Sequence, residues 1–402
     1  MNSTPTPRVL VCGGGIAGNA VALQLLRAGI PTTVVERASA PRPGGQAVDL
    51  RGPSREVAER MGLMAGVHEH RLHEEGMLLV DRRGDEVYRM PAAMFDGNGP
   101  VADIEITRGD LNHVLLAEID STGGELDYRY GDLVERLEQD DSGVTVTFAS
   151  GTTARFDLVI GADGVHSATR RLAFGPEHRY STYLGGYMSF FTLPTPSGIE
   201  PGWMTMHAVP KASVGLRPDA DPSTCKAIVT LRTDADPALR RDAAAQRRLI
   251  RDMLSGAGWL APTVVAGMAD ASDFYFDELA RVDMPSLSAG RIALLGDAGF
   301  CGSPLTGMGT AMALVGAYIL AGEIARTPAD PMAALARYDA AVTPFLDKAK
   351  QLPGGGLAMM LPRSEIGLKA AQTMGKLMTT RIMRPVMTRI LSDTEDYPLP
   401  SY

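Results

Sequence analysis

Arg8-Val-Leu-Val-Cys-Gly-Gly-Gly-Ile-Ala-Gly18 is an apolar run that breaks into closely spaced glycines, and Thr33-Val-Val-Glu-Arg37 is a second apolar run closing on an acid. Together they read as strand, turn, helix and strand, with the helix expected from about Ile16 to Ala28. In that frame Gly13 allows the tight turn, Gly15 lets a pyrophosphate approach the backbone, and Gly18 lets helix and strand pack closely. The free N–H groups and positive dipole end at Ile16 and Ala17 would face that phosphate. Glu36, with Arg37 beside it, falls close to the roughly 20-residue spacing at which a carboxylate accepts from ribose hydroxyls. The plainer alternative is a structural glycine turn. The surrounding strand–turn–helix–strand order and the acid favour dinucleotide binding.

A chain of 402 residues has room for two or more domains. Its 45 % hydrophobic and 21 % charged content are those of an ordinary globular protein. A formal net charge of −8 argues against broad nucleic-acid affinity, which needs a concentrated basic face. Met1 to Pro7 has neither a basic n-region nor an apolar h-region, so no signal peptide is expected. No apolar run reaches the roughly 20 residues that span a bilayer. Cys12, Cys225 and Cys301 are scattered, which fits a reducing cytoplasm. His68, His70 and His73 cluster in a polar segment without cysteines or paired acids, and no metal site is expected there.

Further along, a Gly/Pro-rich loop over 40–49 precedes a helix expected from Pro53 to Met61. Residues 76–90 read as a hairpin turning at Arg83-Gly84, and 133–138 with 144–148 as a second hairpin. Asp103–Leu111 is a strand feeding a helix to about Asp120, and Phe156–Gly164 and Arg291–Gly296 are buried parallel-type strands. Residues 183–233 alternate in strand fashion, with a helical stretch from Pro237 to Leu254 behind them. The fold expected is α/β, α+β overall. A discontinuous Rossmann-like nucleotide domain (1–72, 98–176 and 268–345) is interrupted by a β-rich substrate domain (73–97 and 177–267), and C-terminal helices (346–402) bridge the two. Within those helices, Glu365 to Leu391 carries Lys369, Lys376, Arg381, Arg384 and Arg389 among methionines. Such a segment packs across two domains more often than it lies on a membrane.

Two further motifs join the glycine loop: Asp157-Leu-Val-Ile-Gly-Ala-Asp-Gly-Val-His-Ser-Ala-Thr-Arg170 and Gly296-Asp-Ala-Gly-Phe-Cys-Gly-Ser-Pro-Leu-Thr-Gly-Met-Gly-Thr310. In this order and separation, over roughly residues 8–345, they resemble the single-component FAD-dependent aromatic monooxygenases of the para-hydroxybenzoate hydroxylase type. The third motif and Gly44-Gly-Gln-Ala-Val-Asp49 look most like the flavin enzymes that hydroxylate tetracyclines and other polyketides.

Asp297 ends a buried strand and needs donors, which ribityl hydroxyls of FAD would supply; the resemblance implies the same role, against a simple turn cap. Pro304, Gly307, Met308 and Gly309 would let backbone approach a flat ring. The helix from Thr310 to Ala325 would aim its dipole at the reduced flavin. The resemblance further implies cofactor contacts for Asp163, Gly164, Arg108, Asp49 and Arg42, and it makes Arg170 a candidate phosphate contact. It implies reduction by NADPH or NADH, uptake of O2 into a flavin C4a-hydroperoxide, and transfer of one oxygen to an aromatic or polyketide-like substrate. Met188, Phe190, Phe191, Met204 and Met206 are candidate walls of a dry pocket. His207 and Arg217 are candidates to orient the substrate or take its proton.

The chain departs from the family where Gly299 and Phe300 stand in place of a common histidine, which favours a steric role there. Trp203 and Trp259 are isolated, without the Trp-x-Trp signature of flavin halogenases. An FAD-dependent reductase acting without oxygen insertion shares these motifs and is the rival expectation; a flavin-binding regulatory module would need a partner motif that the sequence does not display.

Overall fold

The computed structural model describes residues 6–94, 101–352, 355–380, 383 and 397–402. Val9–Cys12, helix Ile16–Arg27 and Thr32–Glu36 form the expected first unit, its strands parallel with Val11 opposite Val34. They lie in a six-stranded sheet ordered Ser288–Ala289, Ile292–Leu294, Leu158–Gly161, Val9–Cys12, Thr32–Glu36, Leu126–Tyr130. Every pairing is parallel except that of the edge strand Ser288–Ala289. Val9–Cys12 has its chain successor on one side and the much later Leu158–Gly161 on the other. In such a sheet the crevice for a ligand opens there, beyond the carboxyl ends of the strands.

The valine-rich strands are buried on both faces, as a parallel sheet requires. Val9 and Val11 pack toward helices Ile16–Arg27 and Gly309–Arg326, whereas Leu10 and Cys12 meet Val144, Val146 and Phe148 of a small antiparallel sheet. That sheet contains the expected second hairpin, Val134–Asp140 and Gly143–Phe148, and a third strand, Thr153–Phe156, that the sequence hides because it is short and mostly polar. Helix Gly309–Arg326 is apolar on every face as far as Gly322, so it must be enclosed, and every residue from Thr310 to Ile324 is buried.

A seven-stranded sheet, ordered Tyr275–Val282, Ser181–Pro194, Thr224–Arg232, Ala212–Pro218, Trp203–Val209, Gly76–Val80, Glu86–Pro91, holds the expected alternating strands and first hairpin. Tyr275–Val282, assigned from sequence to the nucleotide domain, belongs here instead. It pairs antiparallel with Ser181–Pro194 along both sides of a register shift between Tyr183 and Tyr187. Long-range pairing of this kind leaves no local signal. Helices Ala243–Met253 and Ala261–Gly267 cover one face through Ile250, Ala261 and Val264 against Phe191, Val214, Leu216 and Val229.

The C-terminal helix runs Glu365–Met378, capped by Ser364 Oγ, which accepts from Gly367 N at 3.2 Å. Arg381, Arg384 and Arg389 lie outside the described residues. Among the described residues no helix is long and apolar enough to cross a membrane.

Candidate active site

The glycine loop is built by three exclusions and one vacancy. A Cβ at Gly13, whose φ is +112°, would lie 2.4 Å from the Ala162 carbonyl oxygen; one at Gly18 would lie 1.8 Å from that of Gly13, and one at Gly14 would lie 2.3 Å from the Tyr128 hydroxyl. At Gly15 the nearest atom would be Arg108 Nη2 at 3.8 Å, so nothing among the described residues claims that space. Asn19 Nδ2 donates to the Gly14 carbonyl at 2.9 Å and to Asn112 Oδ1 at 2.9 Å, and the Tyr128 hydroxyl donates to Asn19 Oδ1 at 3.0 Å. Sequence reading missed this trio, whose only signal is amide side chains facing the loop. Glu36 accepts from the amides of Gly14 and Ala38, each at 2.8 Å. Its carboxylate therefore sits against the loop. Arg37 and Arg42 are exposed.

The third motif forms the opposite wall. Gly296 (φ +63°), Ser303 (φ +72°) and Gly307 (φ +67°) are all left-handed. For Ser303 this is strain of about 1–3 kcal/mol, the kind that collects at functional turns. Pro304, Gly307 and Gly309 are exposed, and Met308 is half-buried. Among the described residues a Cβ at Gly309 would meet nothing within 4 Å, and no positive φ demands glycine there. Burial pushes the Asp297 carboxyl above the ordinary range, while the Cys301 thiol and the Arg108 guanidinium draw it back. Asp297 is nevertheless exposed. A side chain deep within the protein yet open at contact range sits on the floor of a cleft. Arg108 is exposed on the same cleft and forms no ion pair among the described residues. These observations fit a bound FAD: unclaimed space at Gly15 and Gly309, an accessible carboxylate, a free cation and two helix N-termini turned toward one crevice.

The second motif is differently employed. Both Asp163 oxygens are taken by its own helix: the Ser167 hydroxyl donates to one, and Thr169 N (2.9 Å) and Oγ1 (3.1 Å) to the other. Gly164, with φ +84°, makes the turn between them. Arg170, expected at a phosphate, is fully buried. Its Nη1 donates to the Ala298 carbonyl at 2.8 Å and its Nη2 to that of Val165 at 2.6 Å. It braces the Asp297 turn from behind, because its helix carries it inward between two motifs.

On the seven-stranded sheet, Phe190, Ile228, Gly215 and Met206 stand in register across four strands. They share the face opposite the helices with Met188 and Met204. Met188 packs against a buried cluster that includes Leu305 of the third motif, so this face turns toward that motif. Phe191 does not: it points to the other side, 1 % exposed, with its ring 5.9 Å from that of Phe274. His207 also lies on that far side. Its Nδ1 is 3.1 Å from the Val80 carbonyl oxygen and its Nε2 3.0 Å from that of Ala257, which leaves no nitrogen for a substrate proton. The alternation of the strand decides this, and it corrects the expectation for His207. Arg217 is on the cleft face, but Glu74 Oε1 at 2.7 Å and Glu105 Oε2 at 2.9 Å occupy its guanidinium. Asp49 is ion-paired with Arg51.

A second network escaped the sequence. Tyr275, 48 % exposed toward the cleft, donates to Asp277 Oδ2 at 2.9 Å. His166 bridges Asp277 Oδ1 at 3.0 Å and Glu177 Oε1 at 2.8 Å, and these two hydrogen bonds raise its pKa to about 9.

The family described as FAD binding domain matches residues 6–351. A flavin-dependent monooxygenase from an unknown prokaryotic organism is 38 % identical over 342 residues, covering 85 % of this chain and 87 % of its own. A flavin-dependent monooxygenase of Legionella longbeachae is 34 % identical over 365 residues, covering 91 % and 92 %. Among solved structures, the tetracycline destructase Tet(51) superposes with a TM-score of 0.83 at 32 % identity, over 99 % of this chain and 100 % of its own.

Proposed function

Since this chain belongs to the FAD binding domain family and its relatives over nearly the whole length are flavin-dependent monooxygenases, we propose that it oxygenates a flat, largely apolar aromatic or polyketide-like molecule, with NADPH or NADH as reductant and O2 as co-substrate. The observation that carries this reading is the cleft itself. On one side lie Asp297, Pro304, Gly307 and Gly309, open and unclaimed; on the other stand Met188, Phe190, Met204 and Met206. The bound flavin would supply reduction by the nicotinamide and activation of dioxygen.

In this assignment Gly13, Gly15, Ile16, Ala17 and Gly18 cradle the pyrophosphate, and Glu36 meets the adenosine ribose. Arg108 and Asp297 hold the ribityl–phosphate portion, and the turn from Pro304 to Gly309 carries the ring. Arg42, exposed at the rim with Arg37, would meet the nicotinamide nucleotide. Asp163 and Arg170 shape the walls without touching the cofactor. The methionines provide an adaptable surface that keeps water from the reacting carbon. We carry forward the two-domain division with bridging C-terminal helices, moving Tyr275–Val282 into the substrate domain.

The test is turnover of an aromatic and polyketide panel under 18O2 with NADPH or NADH. One labelled oxygen in a product is expected. Reductant consumption matched entirely by peroxide, or by a reduced product without label, overturns the reading in favour of a reductase.

A further inference from the structure

Between the seven-stranded sheet and the strand Ala47–Asp49 lies a buried knot of charge with no part in the assignment above. Arg217 Nε donates to Glu74 Oε1 at 2.7 Å, its Nη2 is 2.9 Å from Glu105 Oε2, and its Nη1 donates to the Ala47 carbonyl at 3.4 Å. The side chain of Glu74 is wholly enclosed, that of Glu105 is 4 % exposed and that of Arg217 11 %. Two carboxylates thus share one guanidinium; among the described residues neither Glu74 Oε2 nor Arg217 Nη2 has a hydrogen-bond partner, so Glu105 holds Arg217 by charge as an ion pair. Asp49, opposite Glu105 in the register, is held by Arg51; Ala102 N donates to Glu105 Oε1 at 2.9 Å; Arg71, on the other neighbouring strand, points to solvent. Burial of such a group is costly and adds little net stability over an apolar core, so its physical return must be sought in what it holds in place.

It holds the edge of the cleft. Ala47–Asp49 continues from Gly44-Gly45-Gln46, and that loop is tied to the Arg108 helix: Arg108 N donates to the Gln46 carbonyl at 3.0 Å and Gly109 N to that of Gly44 at 2.7 Å. We propose that Arg217 is a positioning residue for the oxygenation, locking the Gly44–Asp49 segment and Arg108 against the substrate sheet through Glu74 and Glu105. The inference rests on the monooxygenase reading. Glu105 responds to pH: burial, reinforced by Asp49 and Glu74 and opposed by Arg217, raises its carboxyl to about 7, and burial raises that of Glu74 in the same direction against the pull of Arg217. Ionised, it completes the lock; protonated, it leaves Arg217 to Glu74 alone.

The experiment measures hydrogen exchange of residues 44–49 in the FAD-loaded protein, with kcat, KM and their pH profiles alongside. In Arg217→Ala the exchange quickens and kcat falls about 10- to 100-fold with KM little changed, the signature of misplacement rather than lost binding. Arg217→Lys restores the charge without the fork and does not rescue it. Glu105→Gln abolishes the step in kcat near pH 7. Unchanged exchange in Arg217→Ala overturns the proposal, and so does a pH step that survives in Glu105→Gln. If Arg217→Ala does not fold, Glu74→Gln and Glu105→Gln, which keep the shape and one acceptor, decide the exchange result. Exchange needs no turnover, so a wild-type protein that never forms an oxygenated product sinks the monooxygenase reading and leaves the lock standing.

Discussion

Gly15 differs from Gly13, Gly14 and Gly18 in what forbids a side chain there. Its neighbours are fixed by protein atoms, whereas Gly15 borders open space that the cofactor would fill. Gly15→Val should therefore purify folded but colourless, with a near-native far-UV spectrum; full flavin absorbance would remove the pyrophosphate from this loop. Asp297→Ala should lower flavin occupancy in the same measurement, because an exposed carboxylate at the cleft floor is lost and only its contact with the Cys301 thiol goes with it. His207 runs the other way. His207→Ala empties a buried site and removes the ring N–H that a buried carbonyl accepts, and should cost about 2–4 kcal/mol of stability by denaturant unfolding, while the pH profile of turnover stays unchanged. A changed profile would return His207 to the reaction.

At the level of elements, the helix Gly309–Arg326 is the piece on which the core of the nucleotide domain depends. Its N-terminus lines the cleft; its far end is held by the returning C-terminal segment. Tyr402 donates to Glu323 Oε1 at 2.9 Å and lies so close over Gly322 that a Cβ there would come 2.3 Å from the ring, while Arg60 donates to the Pro400 carbonyl at 2.8 Å. Arg337 at 2.6 Å and Arg326 at 3.1 Å complete the neutralisation of Glu323 and, with the Tyr402 hydroxyl, hold its carboxyl below the usual range. Tyr402→Ala should lower stability by about 1–3 kcal/mol, measured as a shift in the unfolding midpoint. No shift would make the contact incidental. The apolar run from Thr310 announced this helix, but nothing local announced the tyrosine some eighty residues away that closes over it.

For the whole molecule, His166 joins the two sheets: it stands in the second nucleotide motif and binds Asp277 of the seven-stranded sheet and Glu177 between them. Its pKa rises from 6.5 to about 9, so the folded state binds the proton more tightly than the unfolded chain. The stabilisation is complete below pH 6.5 and is lost as pH climbs through 9. Glu177 is drawn down to about 2 by the same contact, so its share is present above 4.5 and disappears as pH falls toward 2. Thermal midpoints of wild type should decline between pH 6.5 and 9, and His166→Gln should flatten that decline. Parallel curves would deny the bridge.

How much was legible follows from how far apart the deciding contacts are in the chain. The glycine spacing, the acid at Glu36, the alternating strands and the largely apolar helix are short-range patterns, set by backbone sterics and by the periods of strand and helix. They determined the nucleotide unit, the sheet-rich insert and the turn at Pro304–Gly309. The structure alone decided which side of each strand faces the cleft, and with it the fates of Phe191 and His207, and it alone brought Glu74 and Glu105 to Arg217. It alone placed Tyr275–Val282 in the larger sheet and turned Arg170 inward as a brace. Those outcomes depend on register and on charges that meet only when distant segments pack, and one-residue alternation sends a side chain to opposite faces of a sheet with no trace in its immediate neighbours.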